Sequence, residues 1–308
     1  MADFEQLDQA LEAILGSAEV ADLMCVASAL RDLPDETYRR NLLEELMTAT
    51  QPVYAPKGFS SITPYLVVPD ADRFIAFVKA AFGAEEVMRV KRPDGSIMHA
   101  QVNLAESPLE VSEGNAQHRP EAGALHLYVP DVDAIYEQAV AAGATVLHPL
   151  TDQPYGDREV SLRDPAGNNW YVATNKERPE QHIRAGLRTL TPYFHIKDTP
   201  AFFSFLERAF GAKVEAKHES SPGNIVYSIV RIGDAAIEAS EAHGQWQSMP
   251  IPIHLYVPDP DATYAKAIAA GATSIYPPAD QPYGERNSGV MDAWGNRWWI
   301  AAVTGERP

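Results

Sequence analysis

Glutamate and histidine side chains recur in this sequence at a fixed separation of 128 residues. Glu110 returns as Glu238, and His126 in the segment His-Leu-Tyr-Val-Pro-Asp returns as His254 in the same segment. A carboxylate beside an imidazole can transfer protons, because surrounding charges move the pKa of either group toward neutral pH. Both side chains are also common ligands of divalent metals. The repetition predicts two versions of one site, with these four residues as the candidate catalytic groups.

A loop with the sequence Gln-Pro-Tyr-Gly-Asp-Arg is a second repeated element that carries aromatic and charged side chains. Its first copy contains Tyr155 and Arg158, and its second copy contains Tyr283 and Arg286. Glycine at the fourth position permits a tight turn. Two interpretations stay open: the tyrosine and arginine close over a ligand, or the loop is structural, with its arginine paired to a neighbouring aspartate.

The elements that must position these residues follow the order βαβββ, which each repeat shows twice. Hydrophobic periodicity, turn residues and helix-capping residues agree among all four copies. A constant offset of this length matches a whole domain rather than a solenoid unit. We therefore expect two domains, at residues 59–178 and 187–305, preceded by an extension of three amphipathic helices at residues 1–52.

Several segments of these modules resemble the vicinal oxygen chelate superfamily, which includes glyoxalase I, bleomycin-resistance proteins and extradiol dioxygenases. They are His-Leu-Tyr-Val-Pro-Asp before a helix, Ala-Ala-Gly-Ala after it, and Asp-Pro-Ala-Gly-Asn-Asn-Trp ahead of the last strand. Thr-Pro-Tyr-Leu-Val-Val, Phe-Gly-Ala and Met-His-Ala are most similar to its PhnB-like branch. The resemblance covers about residues 59–305. It implies an α+β fold of tandem vicinal-oxygen-chelate domains, each with two βαβββ modules that form a cupped mixed sheet.

Strand alternation divides the side chains between the two faces of each predicted sheet. The apolar face must cover the helices, and the resemblance implies that the polar and aromatic face lines a cup-shaped ligand site. A solvated sheet face is the alternative. The predicted ligand-binding residues are Tyr65, His99, Tyr128, Tyr155, Arg158, Tyr171, Tyr193, Tyr227, Tyr256, Tyr283, Arg286 and Trp299.

The metal centre of the superfamily takes its ligands from the first and last strands of the modules. The aligned positions are Thr63, Glu110, Ala124 and Tyr171 in the first repeat, and Thr191, Glu238, Pro252 and Trp299 in the second. Only the glutamates are good donors for a divalent ion. We therefore expect no metal or other cofactor at the usual ligand positions of the superfamily. A shifted metal site at Glu110 and His126, or at Glu238 and His254, is left open.

The composition limits the classes of partner that this chain can have. A net charge of −17 disfavours nucleic acid and anionic membranes, since both need clustered basic residues. The single cysteine excludes an intrachain disulfide, and the N-terminal residues lack the features of a signal peptide. We expect a cytoplasmic protein with a small-molecule ligand, and a homodimer formed through the N-terminal helices is left open.

These observations favour a small-molecule-binding protein of the glyoxalase and bleomycin-resistance type. It would hold an apolar or aromatic ligand in cup-shaped sites without the usual metal set. The alternative is an enzyme of the same superfamily, a lyase, isomerase or dioxygenase that uses Glu110 and His126. A third interpretation is an interaction protein that makes its contacts through the N-terminal helices. The strand patterns leave open whether modules pair within one repeat or across the two.

Overall fold

The computed structural model describes residues 54–116, 118–177 and 180–304 of the chain. The predicted helical extension at residues 1–52 lies outside these ranges, and so does the dimer contact predicted for it.

Four βαβββ modules follow one another along the described residues. Module I contains β1 (Ile62–Val68), α1 (Ala71–Phe82), β2 (Glu85–Lys91), β3 (Ile97–Leu104) and β4 (Ser107–Glu113). Module II contains β5 (Ala124–Tyr128), α2 (Val132–Ala141), β6 (Thr145–Asp152), β7 (Asp157–Arg163) and β8 (Asn169–Asn175). Module III contains β9 (Leu190–Ile196), α3 (Thr199–Phe210), β10 (Lys213–Ser221), β11 (Asn224–Ile232) and β12 (Ala235–Glu241). Module IV contains β13 (Ile253–Tyr256), α4 (Pro260–Ala269), β14 (Thr273–Gln281), β15 (Glu285–Met291) and β16 (Arg297–Val303).

Each helix begins after an aspartate that caps its first turn. The carboxylate of Asp70 accepts a hydrogen bond from a backbone N–H of α1 at 2.9 Å. The other three caps are Asp131, Asp198 and Asp259. Helices α1 and α3 end at Gly83 and Gly211, whose φ of 68° is the left-handed conformation that favours glycine. The longest of these described helices has 12 residues, and none is long and apolar enough to cross a membrane.

The modules pair across the two repeats, which settles the alternative that the strand patterns leave open. Strand β1 lies antiparallel to β13, with Thr63 opposite His254, and β5 lies antiparallel to β9, with His126 opposite Thr191. One eight-stranded sheet has the order β14-β15-β16-β13-β1-β4-β3-β2, and the other has the order β10-β11-β12-β9-β5-β8-β7-β6. The tandem α+β fold with two mixed sheets is confirmed. The predicted boundaries at residues 59–178 and 187–305 are those of the two sequence repeats. Each sheet, however, takes one module from each repeat.

Modules of the same repeat are joined instead through the hydrophobic core. Helix α1 contacts α2, and α3 contacts α4. Trp170 in module II packs against Phe82 of module I with ring centroids 4.6 Å apart, and Trp298 repeats this contact with Phe210 at 4.7 Å. Both indoles are fully buried. The two repeats are therefore interlocked, because their sheets join across repeats while their helices join within them.

A chain restricted to residues 54–178 is expected to form a dimer rather than a folded monomer. In that fragment β1 and β5 both lose their antiparallel partners, and an unpaired central strand exposes backbone hydrogen-bonding groups that another chain can satisfy. Size-exclusion chromatography with light scattering measures the mass of the fragment. A folded monomer with native circular dichroism contradicts the expectation.

Candidate functional site

Each sheet lines a cavity of about 470 Å³ on its polar face. The cavity between modules II and III, here the II–III cup, is lined by His126, His148, Gln153, Tyr155, Glu159, Ser161, Tyr171, Arg184, Tyr193, His195, His218, Val226, Tyr227, Ser240, His243 and Trp246. The cavity between modules I and IV, here the I–IV cup, is lined by Tyr65, Val67, Met88, Val90, Arg92, Met98, His99, Glu110, Ser112, His118, His254, Tyr276, Tyr283, Glu285, Asn287 and Trp299.

A glutamate and a histidine from different repeats meet beneath each cup. Nδ1 of His254 lies 2.7 Å from Oε2 of Glu110, and Nδ1 of His126 lies 2.7 Å from Oε2 of Glu238. All four side chains are buried. The expected partnership of Glu110 with His126 is therefore wrong. Strand β1 lies between β13 and β4 in the sheet, so Glu110 on β4 meets the histidine of the second repeat on β13.

The two members of the I–IV pair stabilise each other's charged forms. Burial alone would raise the pKa of Glu110, but the charge of His254 and the hydrogen bond between them hold that pKa below its usual value of 4.5. Burial alone would lower the pKa of His254, yet Glu110 and Glu285 raise the pKa of this imidazole to about 10. In the II–III cup burial alone would lower the pKa of His126, but Glu238 raises this pKa above its usual value of 6.5. His254 is therefore an imidazolium ion at neutral pH, and the pKa of His126 is shifted in the same direction.

The second ring nitrogen of each histidine lies near another carboxylate without a hydrogen bond. Nε2 of His254 is 3.5 Å from Glu285, and Nε2 of His126 is 3.8 Å from Glu159. Both nitrogens are buried and lack a hydrogen-bond partner among the described residues. An N–H group without an acceptor in a buried place is costly.

Tyr128 and Tyr256 lie behind the histidines and not on the cavity surface. The ring of Tyr128 stacks on His126 at 4.4 Å, and its hydroxyl donates a 3.0 Å hydrogen bond to Asp157. Tyr256 stacks on its own histidine at 4.3 Å and donates to Glu285 at 3.0 Å. Both tyrosines are fully buried. They orient the imidazoles. Both were predicted to bind ligand, but neither lines a cup.

Arg158 and Arg286 lie outside both cups, in ion pairs near the helix N-termini. Arg158 bonds to Asp133 at 2.7 Å and to Asp152 at 3.3 Å. Arg286 bonds in the same way to Asp261 and Asp280. These ion pairs favour the structural interpretation of the arginines, although Arg158 pairs with Asp133 and Asp152 and not with Asp157 or Asp164. The tyrosines of the same loop, Tyr155 and Tyr283, do line the cups.

Stacked aromatic rings form one wall of the II–III cup. Tyr171 contacts Tyr193 at 4.8 Å and Trp246 at 5.5 Å, and His195 stacks on Trp246 at 5.9 Å. The hydroxyl of Tyr171 lies 2.5 Å from Nε2 of His195. Burial lowers the pKa of this histidine to about 4. His195 is therefore neutral, and its Nδ1 lies 3.1 Å from Ser240.

Aromatic rings also flank the I–IV cup. Tyr65 stacks on His99 at 5.8 Å, and Tyr276 stacks on Trp299 at 6.0 Å. Burial, opposed in part by a hydrogen bond from Ser112, raises the pKa of Tyr65 to about 12, so its hydroxyl stays protonated.

Arg184 joins the two halves of the II–III cup from the segment between the repeats. Its guanidinium lies 4.8 Å from the ring centroid of Tyr155 and 5.2 Å from that of Tyr227. One of its N–H groups donates a 2.7 Å hydrogen bond to the buried carboxylate of Asp157. The charge of this arginine is therefore balanced by an ion pair inside the wall of the cup.

Sequence reasoning missed several residues of the cups, including Glu159, Glu285, Arg184 and Trp246. A repeated acidic position was available as a signal, because Asp157 and Glu285 are related by the same offset. Arg184 and Trp246 lie outside the strands of the modules and have no counterpart of the same type in the other repeat.

The positions of the usual metal ligands do not fit a divalent ion in either cup. Beside Glu238 they hold Thr191, Ala124 and Tyr171, and beside Glu110 they hold Thr63, Pro252 and Trp299. Cross-repeat pairing therefore leaves each site with one carboxylate and no imidazole at those positions.

One group of potential donors does lie close together, in the II–III cup. His126, Asp157 and Glu159 have ligand atoms within 4.8 Å of one another. However, Asp157 already accepts hydrogen bonds from Arg184 at 2.7 Å and from Asn175 at 2.6 Å, so an ion would compete with a guanidinium. The donor set thus fits a metal poorly, and no reaction step is assigned to one.

Replacing Glu110 with glutamine is expected to destabilise the protein most between about pH 4.5 and pH 6.5. The raised pKa of His254 contributes stability that is fully present below 6.5 and is lost as pH rises through about 10. The lowered pKa of Glu110 contributes stability that is present above 4.5 and is lost as pH falls. Breaking a buried ion pair costs about 3 kcal/mol.

Urea unfolding of the wild-type and Glu110→Gln proteins across this pH range measures the difference. Glu137→Gln, which changes an exposed glutamate on α2, is the matched control and should differ from wild type by less than about 0.5 kcal/mol. A difference that does not vary with pH contradicts the assigned ion pair.

Comparison with known proteins agrees with the geometry. The family model described as the Glyoxalase/Bleomycin resistance protein/Dioxygenase superfamily matches residues 58–172 and 193–300. Uncharacterized protein Rv0887c of Mycobacterium tuberculosis is 38% identical over 121 residues, which span 36% of this chain and 71% of that protein. A second protein of that organism, named "Putative glyoxylase CFP32", is 28% identical over 194 residues, or 59% of this chain and 70% of that protein.

A solved structure supports the fold alone. Glyoxalase I from Zea mays superposes with a TM-score of 0.59 at 16% identity, covering 78% of this chain and 92% of that one. Since the family model matches more than half of the chain and the two mixed sheets carry its βαβββ modules, this protein belongs to the glyoxalase, bleomycin-resistance and dioxygenase superfamily.

Proposed function

We propose that this protein binds small molecules in the manner of the bleomycin-resistance proteins, with one planar, largely apolar ligand in each cup. One observation carries the proposal. In both cups a buried histidine has an Nε2 without a hydrogen-bond partner among the described residues, in the floor of an aromatic cavity.

The size and lining of the cups support a ligand of this shape. A volume of about 470 Å³ lies within the range of small-molecule sites. Tyr171 and Trp246 in one cup, and Tyr276 and Trp299 in the other, offer flat apolar surfaces to a ring system.

The charged histidine defines one polar feature of the ligand. Because Nδ1 is held by a glutamate, Nε2–H is the group left to donate a hydrogen bond. Glu285 lies 3.5 Å from Nε2 of His254, so a second full negative charge there would be repelled. A neutral acceptor such as a carbonyl oxygen fits this position.

A proton-transfer enzyme is the second candidate, and one observation in the II–III cup favours it. Burial, opposed by His126, raises the pKa of Glu159 above its usual value, while the pKa of His126 is also raised. A raised pKa makes a carboxyl group a better candidate for a general acid. Turnover of a carbonyl substrate that is abolished in Glu159→Gln supports this candidate. Turnover that appears only with added divalent metal favours the metal-assisted version.

A neutral naphthyl ketone dye, 6-propionyl-2-dimethylaminonaphthalene, is expected to bind at two sites per chain. Its emission shifts to shorter wavelength in an apolar cavity, so fluorescence titration gives both affinity and stoichiometry. Trp246→Ala and Trp299→Ala should each weaken one site by roughly tenfold, since each removes a ring surface worth about 1 kcal/mol or more.

Trp294→Phe is the control for these variants. Trp294 packs against Phe202 at 5.1 Å and lines neither cup, so this change should leave both affinities within about twofold of wild type. Absence of saturable binding to the wild-type protein overturns the proposed function.

A further inference from the structure

The two cups differ at two hydrophobic positions, one on the central strand β1 and one on the edge strand β2. Val67 and Val90 line the I–IV cup, whereas the residues at the same positions of the II–III cup are His195 and His218. Two methionines, Met88 and Met98, add to the apolar lining of the I–IV cup. This cup is therefore the more apolar of the two.

The arginines of the two cups have different electrostatic partners. Arg184 of the II–III cup is paired with the buried carboxylate of Asp157 at 2.7 Å. Arg92 of the I–IV cup donates to Ser96 Oγ at 3.1 Å, and to the carbonyl oxygens of Ile97 at 3.0 Å and Glu113 at 3.2 Å.

These acceptors of Arg92 are neutral, and within the described ranges no ion pair involves this arginine. The nearby Asp94 is fully exposed and bonds to Ser96 instead. The charge of Arg92 at the wall of the I–IV cup is therefore held in place but not neutralised.

A second basic group lies at the same end of the I–IV cup. The ring of His118 meets Trp299 edge-on at 6.2 Å, and burial, together with the charges of Arg297 and Arg92, lowers the pKa of this histidine. Burial is the larger cause of this lowering, and the charges of the two arginines add to it. The floor has the opposite character, since Glu110 and Glu285 lie on either side of His254.

We infer that the I–IV cup selects an anionic aromatic ligand, an aromatic carboxylate or sulfonate, whose acid group binds Arg92. The apolar body of this ligand lies over the valines, the methionines and Trp299, and its anion points away from the glutamates of the floor. The II–III cup, whose arginine is already paired, has no such preference for an anion. This assignment rests on the proposed function, because it names the ligand class of one of the two cups.

Two matched probes test the role of charge. 8-Anilinonaphthalene-1-sulfonate and N-phenyl-1-naphthylamine share one aromatic body and differ in the sulfonate. Fluorescence titrations use the full-length Trp246→Ala chain, so that the I–IV cup dominates the signal. Arg92→Gln should weaken the sulfonate probe roughly tenfold, as expected for loss of a hydrogen bond to a charged group, and should change the neutral probe by less than about twofold.

Two further variants separate charge from structure. Arg92→Lys retains the charge and should restore most of the affinity for the sulfonate. Arg119→Gln removes an exposed arginine that does not line the cup, and should leave both affinities unchanged. Circular dichroism and thermal unfolding verify that each variant is folded.

The remaining outcomes have distinct meanings. Equal weakening of both probes by Arg92→Gln, or no weakening of either, overturns the selectivity and leaves the proposed function standing. Failure of both probes to bind the chain with both cups intact overturns the proposed function together with this inference.

Discussion

The buried contact between a glutamate and a histidine is the interaction on which the rest of this structure depends. Moving two charges out of water costs several kcal/mol for each, and only a short hydrogen bond between well-placed partners offsets that cost. The two 2.7 Å contacts meet this requirement. Because each glutamate and its histidine come from different repeats, the requirement is met only when the sheets form across the repeats.

This constraint explains why neither repeat contains a complete site. Glu110 takes its partner from module IV, and His126 takes its partner from module III. Both cups are therefore completed by residues more than 100 positions apart in the chain. The core has the opposite connectivity, since Trp170 and Trp298 pack on helices of their own repeat. Loosening either set of contacts should therefore affect both cups.

Divergence between the cups is confined to residues outside this shared pair. The tyrosine that stacks behind each histidine is retained, and its hydroxyl has a carboxylate acceptor in both copies. The walls differ, because the II–III cup has His195 where the I–IV cup has Val67, and Trp246 where the I–IV cup has His118. Such a division is expected when one group of residues maintains the fold and the charge of the floor while the walls define which ligand fits.

By itself the sequence determined the modules, the candidate glutamates and histidines, and the absence of the usual metal set. A constant offset of 128 residues makes each of these visible twice, and local periodicity then assigns strands, helices and faces. Alternation together with the resemblance to the superfamily predicted Tyr65, Tyr171 and Trp299 on the cup faces, and these residues line the cavities.

Only the tertiary structure decided which module pairs with which, and therefore which glutamate meets which histidine. Strand patterns are satisfied equally by pairing within or across repeats, because hydrogen bonds between strands do not depend on which repeat supplies them. The partners of Arg158 and Arg184 were hidden for a related reason: long side chains reach acceptors that are distant in sequence. The residue types of the sites are thus local information, whereas their pairing follows from long-range sheet topology.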